Sequence, residues 1–285
     1  MKRLISADPS EILGFTPAEL KQSIRASEGR VVCAENITAL IPQITDITNA
    51  EIAAAFGADL ILLNFLDVGN PHIHGLDATE DPVRRLRELV GRPVGINLEP
   101  VDTAAAMLEE RQDVAPGRRA LRESIVRAGE LGADFLCLTG NPGSGVSNAQ
   151  IAETVRLCKE LFDGLVIAGK MHGAGVGEGV VDKQAVEEFL AAGADIILVP
   201  AVGIVRTVHA RGGLVMTTIG TSQETSDPAT IRRIAHDNKI AGADIHHIGD
   251  AGPGGLADPM NIYTLSETIR GRRHTISRMA RSIRR

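Results

Sequence analysis

The chain has no tryptophan, a single tyrosine and six phenylalanines among its 285 residues. Aromatics stand at 2% while hydrophobic residues still reach 44%, so the core must be built from Ala, Val, Ile and Leu packed between helices and strands. Cysteine is equally scarce. Cys33, Cys137 and Cys158 are odd in number and widely spaced, which argues against a disulfide framework or a cysteine-rich zinc site and leaves reduced, buried thiols. No run approaches the roughly 18 apolar residues that span a bilayer. The opening MKRLISADPSEILGF also lacks the apolar centre of a signal peptide, so a cytoplasmic protein without a membrane partner is expected. The net charge of -6 is spread without long blocks of one sign and leaves no electrostatic footprint for nucleic acid. One exception is the C-terminal stretch from Arg270 to Arg285, which holds seven arginines and is expected to be a solvated helix face or a subunit contact.

What the chain does have is repetition. The tripeptide GAD occurs at Gly57, Gly132, Gly193 and Gly242, each time after a helix-like segment and before a short apolar run. Glycine there suits the left-handed residue that ends a helix. Four further apolar runs alternate with these, each introduced by a glycine and a nearby valine: GRVVCAEN, GRPVGINLEP, GLVIAGKMHG and GLVMTTIGTS. Strands are therefore expected from Val31, Leu60, Val94, Phe135, Val166, Ile196, Val215 and Ile245. The intervening segments carry helix starts of the Thr-Pro or Asp-Pro kind at Thr16, Asp81, Asp227 and Asp258, with the polar residue as N-cap and proline in the first turn. Continuous apolar strands joined by helical crossovers indicate a parallel sheet, and eight such units indicate an α/β fold, a single (β/α)8 TIM barrel. A doubly wound open sheet is the alternative. Residues 1–28 read as an N-terminal helical extension closing one end, 29–258 as the barrel core and 259–285 as a C-terminal helix.

In such a barrel the chemistry lies at the C-terminal ends of the strands. Strand one ends in Glu35 and Asn36, strand two in Asn64 and Asp67, strand three in Asn97 and Glu99, and strand four in Thr139 and Asn141. Strand five runs into Lys170 and His172, strand seven into Thr217, and strand eight into His246, His247 and Asp250. Lys170 is one of only six lysines and interrupts an apolar strand end. Desolvated there, it is either a Schiff-base nucleophile or a charge that holds an enolate or phosphate; the plainer reading is an ion pair. His172, two residues on, falls on the same side of an extended strand and is a candidate acid/base, or else a structural cap of the following loop. Glu35 and Glu99 complete the catalytic candidates. Asn64, Asp67, Asn97, Thr139, Asn141 and Thr217 are candidate substrate ligands. Glu35, Asp67 and Glu99, from three adjacent strands, are also candidate ligands of Mg²⁺, the one cofactor the pattern suggests. His72 and His74 read as a loop over the site rather than a metal pair. The turns after strands seven and eight, with Gly220, Thr221 and Ser222 and with Gly249, Gly252 and Gly254, have the glycine content of a phosphate grip, although Asp250 sits awkwardly inside it.

The GAD openings, PVGINLEP on strand three, LTGNPGSG on strand four and the glycine turns after strands seven and eight resemble the ribulose-phosphate-binding class of TIM barrels. The pattern is similar to the BtpA-like group across the whole chain, without a diagnostic signature. The resemblance implies the barrel fold and a small phosphorylated ligand, carried over to Asn97 and Glu99, Thr139 and Gly140, and the strand-eight glycines. The chain departs from phosphoenolpyruvate mutase and isocitrate lyase barrels in having no KKCGH-like loop, and from class I aldolases in having no lysine on strand six. An enzyme acting on a phosphorylated sugar or keto acid through an enediolate or a Schiff base, of aldolase, lyase or isomerase type, is expected. A non-catalytic binding or assembly barrel and a phosphoenolpyruvate mutase-like lyase are the alternatives. Homo-oligomers are expected, as in many such barrels.

Overall fold

A computed structural model of the chain describes residues 1–200 and 203–285. Its strands are β1 (Val31–Ile37), β2 (Leu60–Asn64), β3 (Val94–Leu98), β4 (Phe135–Leu138), β5 (Leu165–Gly169), β6 (Ile196–Val199), β7 (Leu214–Ile219) and β8 (Ile245–Ile248). All pair in parallel in chain order, and β8 returns to β1 to close the barrel. The helices are α1 (Pro9–Leu13), α2 (Pro17–Ala26), α3 (Asn49–Ala55), α4 (Pro82–Val90), α5 (Arg122–Glu130), α6 (Asn148–Leu161), α7 (Lys183–Ala192), α8 (Val205–Ala210), α9 (Pro228–Ala241) and α10 (Pro259–Met279). The (β/α)8 barrel expected from the alternating strand signatures is thus the fold, with each strand start within one residue of its expected position.

The glycines of the four GAD tripeptides all take positive φ, from 87° at Gly132 to 114° at Gly57, as a helix terminus before a strand requires. Each aspartate then makes a two-way clasp with the preceding strand. Val32 N–H donates to Asp59 Oδ2 at 2.9 Å while Asp59 N–H donates to the Val32 carbonyl at 2.8 Å. Asp134 does the same with Val94, Asp195 with Val166 and Asp244 with Val215. Every clasp lies at the N-terminal end of an odd-numbered strand and its successor. Of the proline-initiated helices, Thr16, Asp227 and Asp258 cap as expected, whereas Asp81 makes no side-chain cap bond.

The core falls into two shells because strand side chains alternate. Val32, Ala34, Val166, Ala168 and Val215 face the helices. Val31, Cys33, Leu60, Leu62, Phe135, Cys137, Ile167 and Met216 fill the barrel, and Leu4, Ile5, Ile12, Leu20 and Ile24 of the N-terminal segment pack onto the same cluster. Gly95 makes room for the largest interior side chain, since a Cβ there would lie 2.2 Å from the Phe135 ring. Burial pushes the Cys33 and Cys137 thiols well above their ordinary range and Cys158 up to about 12.

The arginine-rich C-terminus is not simply a solvated face. α10 kinks at Gly271 (φ 74°), and Arg270 and Arg278, both fully buried in their side chains, close on Asp59, at 2.5 Å from Oδ2 and 2.7 Å from Oδ1. Removing Asp59 leaves two buried guanidinium groups without their counter-ion, a class of change that costs roughly 3–5 kcal/mol. Asp59→Ala is expected to lower the urea midpoint far more than Asp244→Ala, whose partner His209 is 42% exposed. Equal shifts of the two midpoints would show that the arginine cluster contributes nothing particular.

Candidate active site

At the C-terminal mouth of the barrel lies a cavity of about 640 Å³, within the range of small-molecule sites. Inward-facing strand ends supply its floor. Asn64 is the hub: its Nδ2 donates to Asn141 Oδ1 at 2.9 Å and to Asp250 Oδ2 at 3.0 Å. Its Oδ1 accepts from Asn97 Nδ2 at 3.0 Å, Asn141 Nδ2 at 3.1 Å and the Phe65 amide at 2.9 Å. Such a network fixes amide orientations on β2, β3 and the loop after β4 at once. Glu35 faces the same cavity and accepts from His247 Nε2, one layer deeper in the barrel, at 2.9 Å. Asp250, in the turn after the neighbouring strand β8, lines the same cavity. Burial, and then the negative charge of Glu35, hold its carboxyl well above the usual carboxylate range.

His172 also lines the cavity. Its Nδ1 accepts the amide of Ala174, a residue in the left-handed region (φ 51°), at 3.0 Å. With Nδ1 so engaged, the neutral ring carries its proton on Nε2. Burial lowers its pKa despite nearby carboxylates, so the imidazole is uncharged at neutral pH. The loop holding it is covered by the long connection after β3: Met107 and Val176 form an antiparallel bridge, and Leu108 N–H donates to the Gly175 carbonyl.

Of the residues expected at the site, Glu35, Asn64, Asn97, Thr139, Asn141, His172, Gly220, Thr221, Ser222 and Gly249 line the cavity. The others do not. Lys170 turns toward the helix layer, as Val166 and Ala168 do, and its fully buried ammonium donates to Glu178 at 2.5 Å and to the Val146 carbonyl at 3.2 Å. β5 ends at Gly169, so the two-residue period that would align Lys170 with His172 no longer applies. Thr217 lies on the helix-facing side between Val215 and Ile219. Glu99 is consumed by Arg118 at 2.7 Å and the Asn141 amide at 2.9 Å, and Asp67 caps its own turn through the Gly69 amide. The three proposed Mg²⁺ carboxylates therefore do not converge, and no group of three or more His, Cys, Asp or Glu suited to a metal is found among the described residues. These residues do not fit the ion.

The phosphate grip is altered in a way the sequence concealed. Glu224, 2% exposed in the turn after β7, sends its carboxylate between the two glycine turns. Its Oε1 accepts the Ala251 amide at 3.0 Å, and a Cβ on Gly249 would lie 2.8 Å from that oxygen. The chain thus places its own carboxylate where the turns after β7 and β8 would meet an anion. Gly252 and Gly254 lie outside the cavity. A Cβ at Gly252 would strike the Leu256 carbonyl, and Gly254 packs on residues 41–43.

Fold and cavity together define a (β/α)8 barrel with a pocket at the C-terminal face of its strands. The chain belongs to the family described as Domain of unknown function (DUF7916), whose model matches residues 5–285. That match is to this family, and nothing in the comparisons is specific to the BtpA-like group. No curated protein matches the sequence. Among solved structures the chain is similar to thiamine phosphate pyrophosphorylase from Pyrococcus furiosus, at 12% identity and a TM-score of 0.48 over 86% of this chain and 100% of that one. It is similar too to 2,3-dimethylmalate lyase, a PEP mutase/isocitrate lyase superfamily member, at 12% identity and a TM-score of 0.47 over 81% of this chain and 80% of that one. A third is phosphonopyruvate hydrolase in complex with oxalate and Mg²⁺, at 14% identity and a TM-score of 0.46 over 80% and 79%. No helix among the described residues is long and apolar enough to cross a membrane.

The position of Lys170 carries its own expectation. Treatment of the native protein with small carbonyl compounds and borohydride should leave Lys170 unmodified in a peptide mass map, while unfolded protein is labelled there. A Lys170 adduct in the folded protein would return this side chain to the reaction.

Proposed function

We propose that the protein is an enzyme of lyase or isomerase type that moves a proton on a small carbonyl compound, a sugar or keto acid in size, through an enediolate-like intermediate. The observation that carries this reading is a pair of carboxyl groups on one cavity whose surroundings differ. Asp250 is pushed toward its protonated form, while Glu35 is hydrogen-bonded to His247. Two acids so separated divide the roles of general acid and general base.

In this reading Glu35 removes the proton adjacent to the carbonyl and His247 holds it in position from below. Asp250, from the turn after the neighbouring strand β8, donates the returning proton, steadied by Asn64. His172 presents Nε2–H to the oxygen on which charge develops, since its Nδ1 is already bonded to Ala174; a neutral imidazole in that role avoids an imidazolium that would hold the product. Asn97 and Asn141 orient the substrate's remaining oxygens. A Schiff base has no support from Lys170, which is sealed against Glu178. A phosphate on the substrate would have only the Gly220–Ser222 wall to rest on, because Glu224 occupies the turn beside it.

A panel of small aldoses, ketoses and keto acids in deuterated water, followed by proton NMR, tests this. Wild-type protein is expected to exchange the carbon-bound hydrogen of at least one member, and Glu35→Gln and Asp250→Asn each to slow exchange about 100- to 10,000-fold. His172→Gln, which keeps an N–H donor, should lose less than His172→Ala. The rate should fall at high pH as Asp250 gives up its proton through its raised pKa, and at low pH as His172 gains one below 6.5 through its lowered pKa. Exchange that survives intact in the Glu35→Gln, Asp250→Asn double variant would dismiss the reading.

A further inference from the structure

Lys170 is a buried cation that the proposed reaction leaves unused. It stands in the helix-facing row of Val166 and Ala168, and an ion pair sunk among apolar side chains contributes little net stability compared with another apolar residue in its place. Its partner is local. Glu178 follows eight residues later in the segment after β5. One of its oxygens, Oε1, accepts both the Lys170 ammonium and the amide of Asn148 in the first turn of α6, each at 2.5 Å. Asn148 Nδ2 also donates to the Gly179 carbonyl at 3.2 Å. The Lys170–Glu178 pair therefore closes residues 171–177 into a clip and fastens that clip to the start of α6. His172 lies inside it.

Gly173, Gly175 and Gly177 are among the enclosed residues, so the segment has little conformational preference of its own. Its shape must be imposed. Ala174 takes the left-handed conformation (φ 51°), which persists in a residue with a Cβ only where the surroundings enforce it. In that conformation its amide meets His172 Nδ1 at 3.0 Å and its carbonyl accepts the Gly145 amide at 2.9 Å. We propose that Lys170 and Glu178 are positioning residues: their ion pair holds the loop after β5 in the shape that places the Ala174 amide on His172 Nδ1, and so keeps the Nε2–H donor available to the cavity. Neither side chain lines the cavity itself. The charge of the ammonium works in the same direction. Glu35 on β1, and Glu99 and Glu109 after β3, favour protonation of His172, whereas Lys170 opposes it. The inference rests on the proton-transfer reading for what His172 does, and on the geometry of the clip for how His172 is held.

Nitrogen-15 NMR of the histidine rings, with the His172 signals assigned by their loss in His172→Gln, tests this alongside the deuterium exchange rate. Wild-type His172 is expected as one tautomer, bare at Nδ1 and protonated at Nε2. Glu178→Ala should open the clip and average the two nitrogens, lowering kcat for exchange about 10- to 100-fold with KM held within about twofold. Glu178→Gln, whose carbonyl oxygen still accepts from Lys170 and Asn148, should keep the tautomer and most of kcat. Lys170→Met removes a like charge and should also raise the pH at which His172 titrates; if it does not fold, the Glu178 pair of variants still decides. Asp182→Ala, which strips the N-cap of α7 at the far end of the same loop, should lower the melting temperature and leave the His172 nitrogens unchanged. A tautomer unaltered in Glu178→Ala, equal averaging in Asp182→Ala or Glu178→Gln, or averaged nitrogens already in the wild type would each overturn the proposal. Altered nitrogens with unchanged kcat would overturn it too, since the pair would then be structural only. The tautomer is read without turnover, so its loss in Glu178→Ala with no exchange by the wild-type protein removes the proton-transfer reading alone. Exchange with an unaltered tautomer removes this inference alone.

Discussion

The barrel depends on a carboxylate clasp repeated four times. In each GAD tripeptide the glycine reverses the chain out of a helix, and the aspartate bonds the first residues of the preceding strand through both its side chain and its own amide. That fixes the register of β1 with β2, β3 with β4, β5 with β6 and β7 with β8, because a shift of one residue would turn each core side chain to the wrong shell. Four partly or fully buried carboxylates then need counter-charges. They receive Arg270 and Arg278 at Asp59, Arg87 at Asp134, and Lys21 and Lys159 at Asp195, while Asp244 is hydrogen-bonded to the His209 ring. Five of the chain's 30 lysines and arginines are held at the closed end in this way.

GAD and the glycine-valine openings are local signals, a helix stop followed by an apolar run, and local signals place strands to within a residue. Glu35, Asn64 and Asn97 were legible for the same reason, since strand alternation carries them inward to the end of the element. Reading failed where alternation stopped. Lys170 keeps the helix-facing parity of Val166 and Ala168, and His172 lies beyond Gly169, the last residue of β5, where the loop rather than the sheet sets its direction. Glu99 looks like a free carboxylate until Arg118 folds back over it, its guanidinium also lying 4.0 Å from the Phe65 ring. Thr217 is polar on a face where its neighbours Val215 and Ile219 are not, and polarity alone suggested the wrong side.

Glu224 was the least legible of the site residues. Its sequence context, TSQETSD, has the appearance of an ordinary solvated turn, and only the approach of Ala251 from β8's loop buries it. The awkwardness of Asp250 within a glycine turn was the available clue. One carboxylate inside an anion grip suggested a conflict; in the structure a second carboxylate, Glu224, stands beside it, and burial first and then the charge of Glu35 raise the proton affinity of Asp250.

The barrel interior beneath the pocket is solid. Phe135 fills the space left by Gly95, and Leu4, Ile5 and Ile12 stopper the far end. The cavity is therefore a blind well, with the bridged β3 and β5 loops narrowing its rim. Whatever enters must leave by the same opening, so incoming and departing molecules compete for one passage and traffic through the site is sequential by construction.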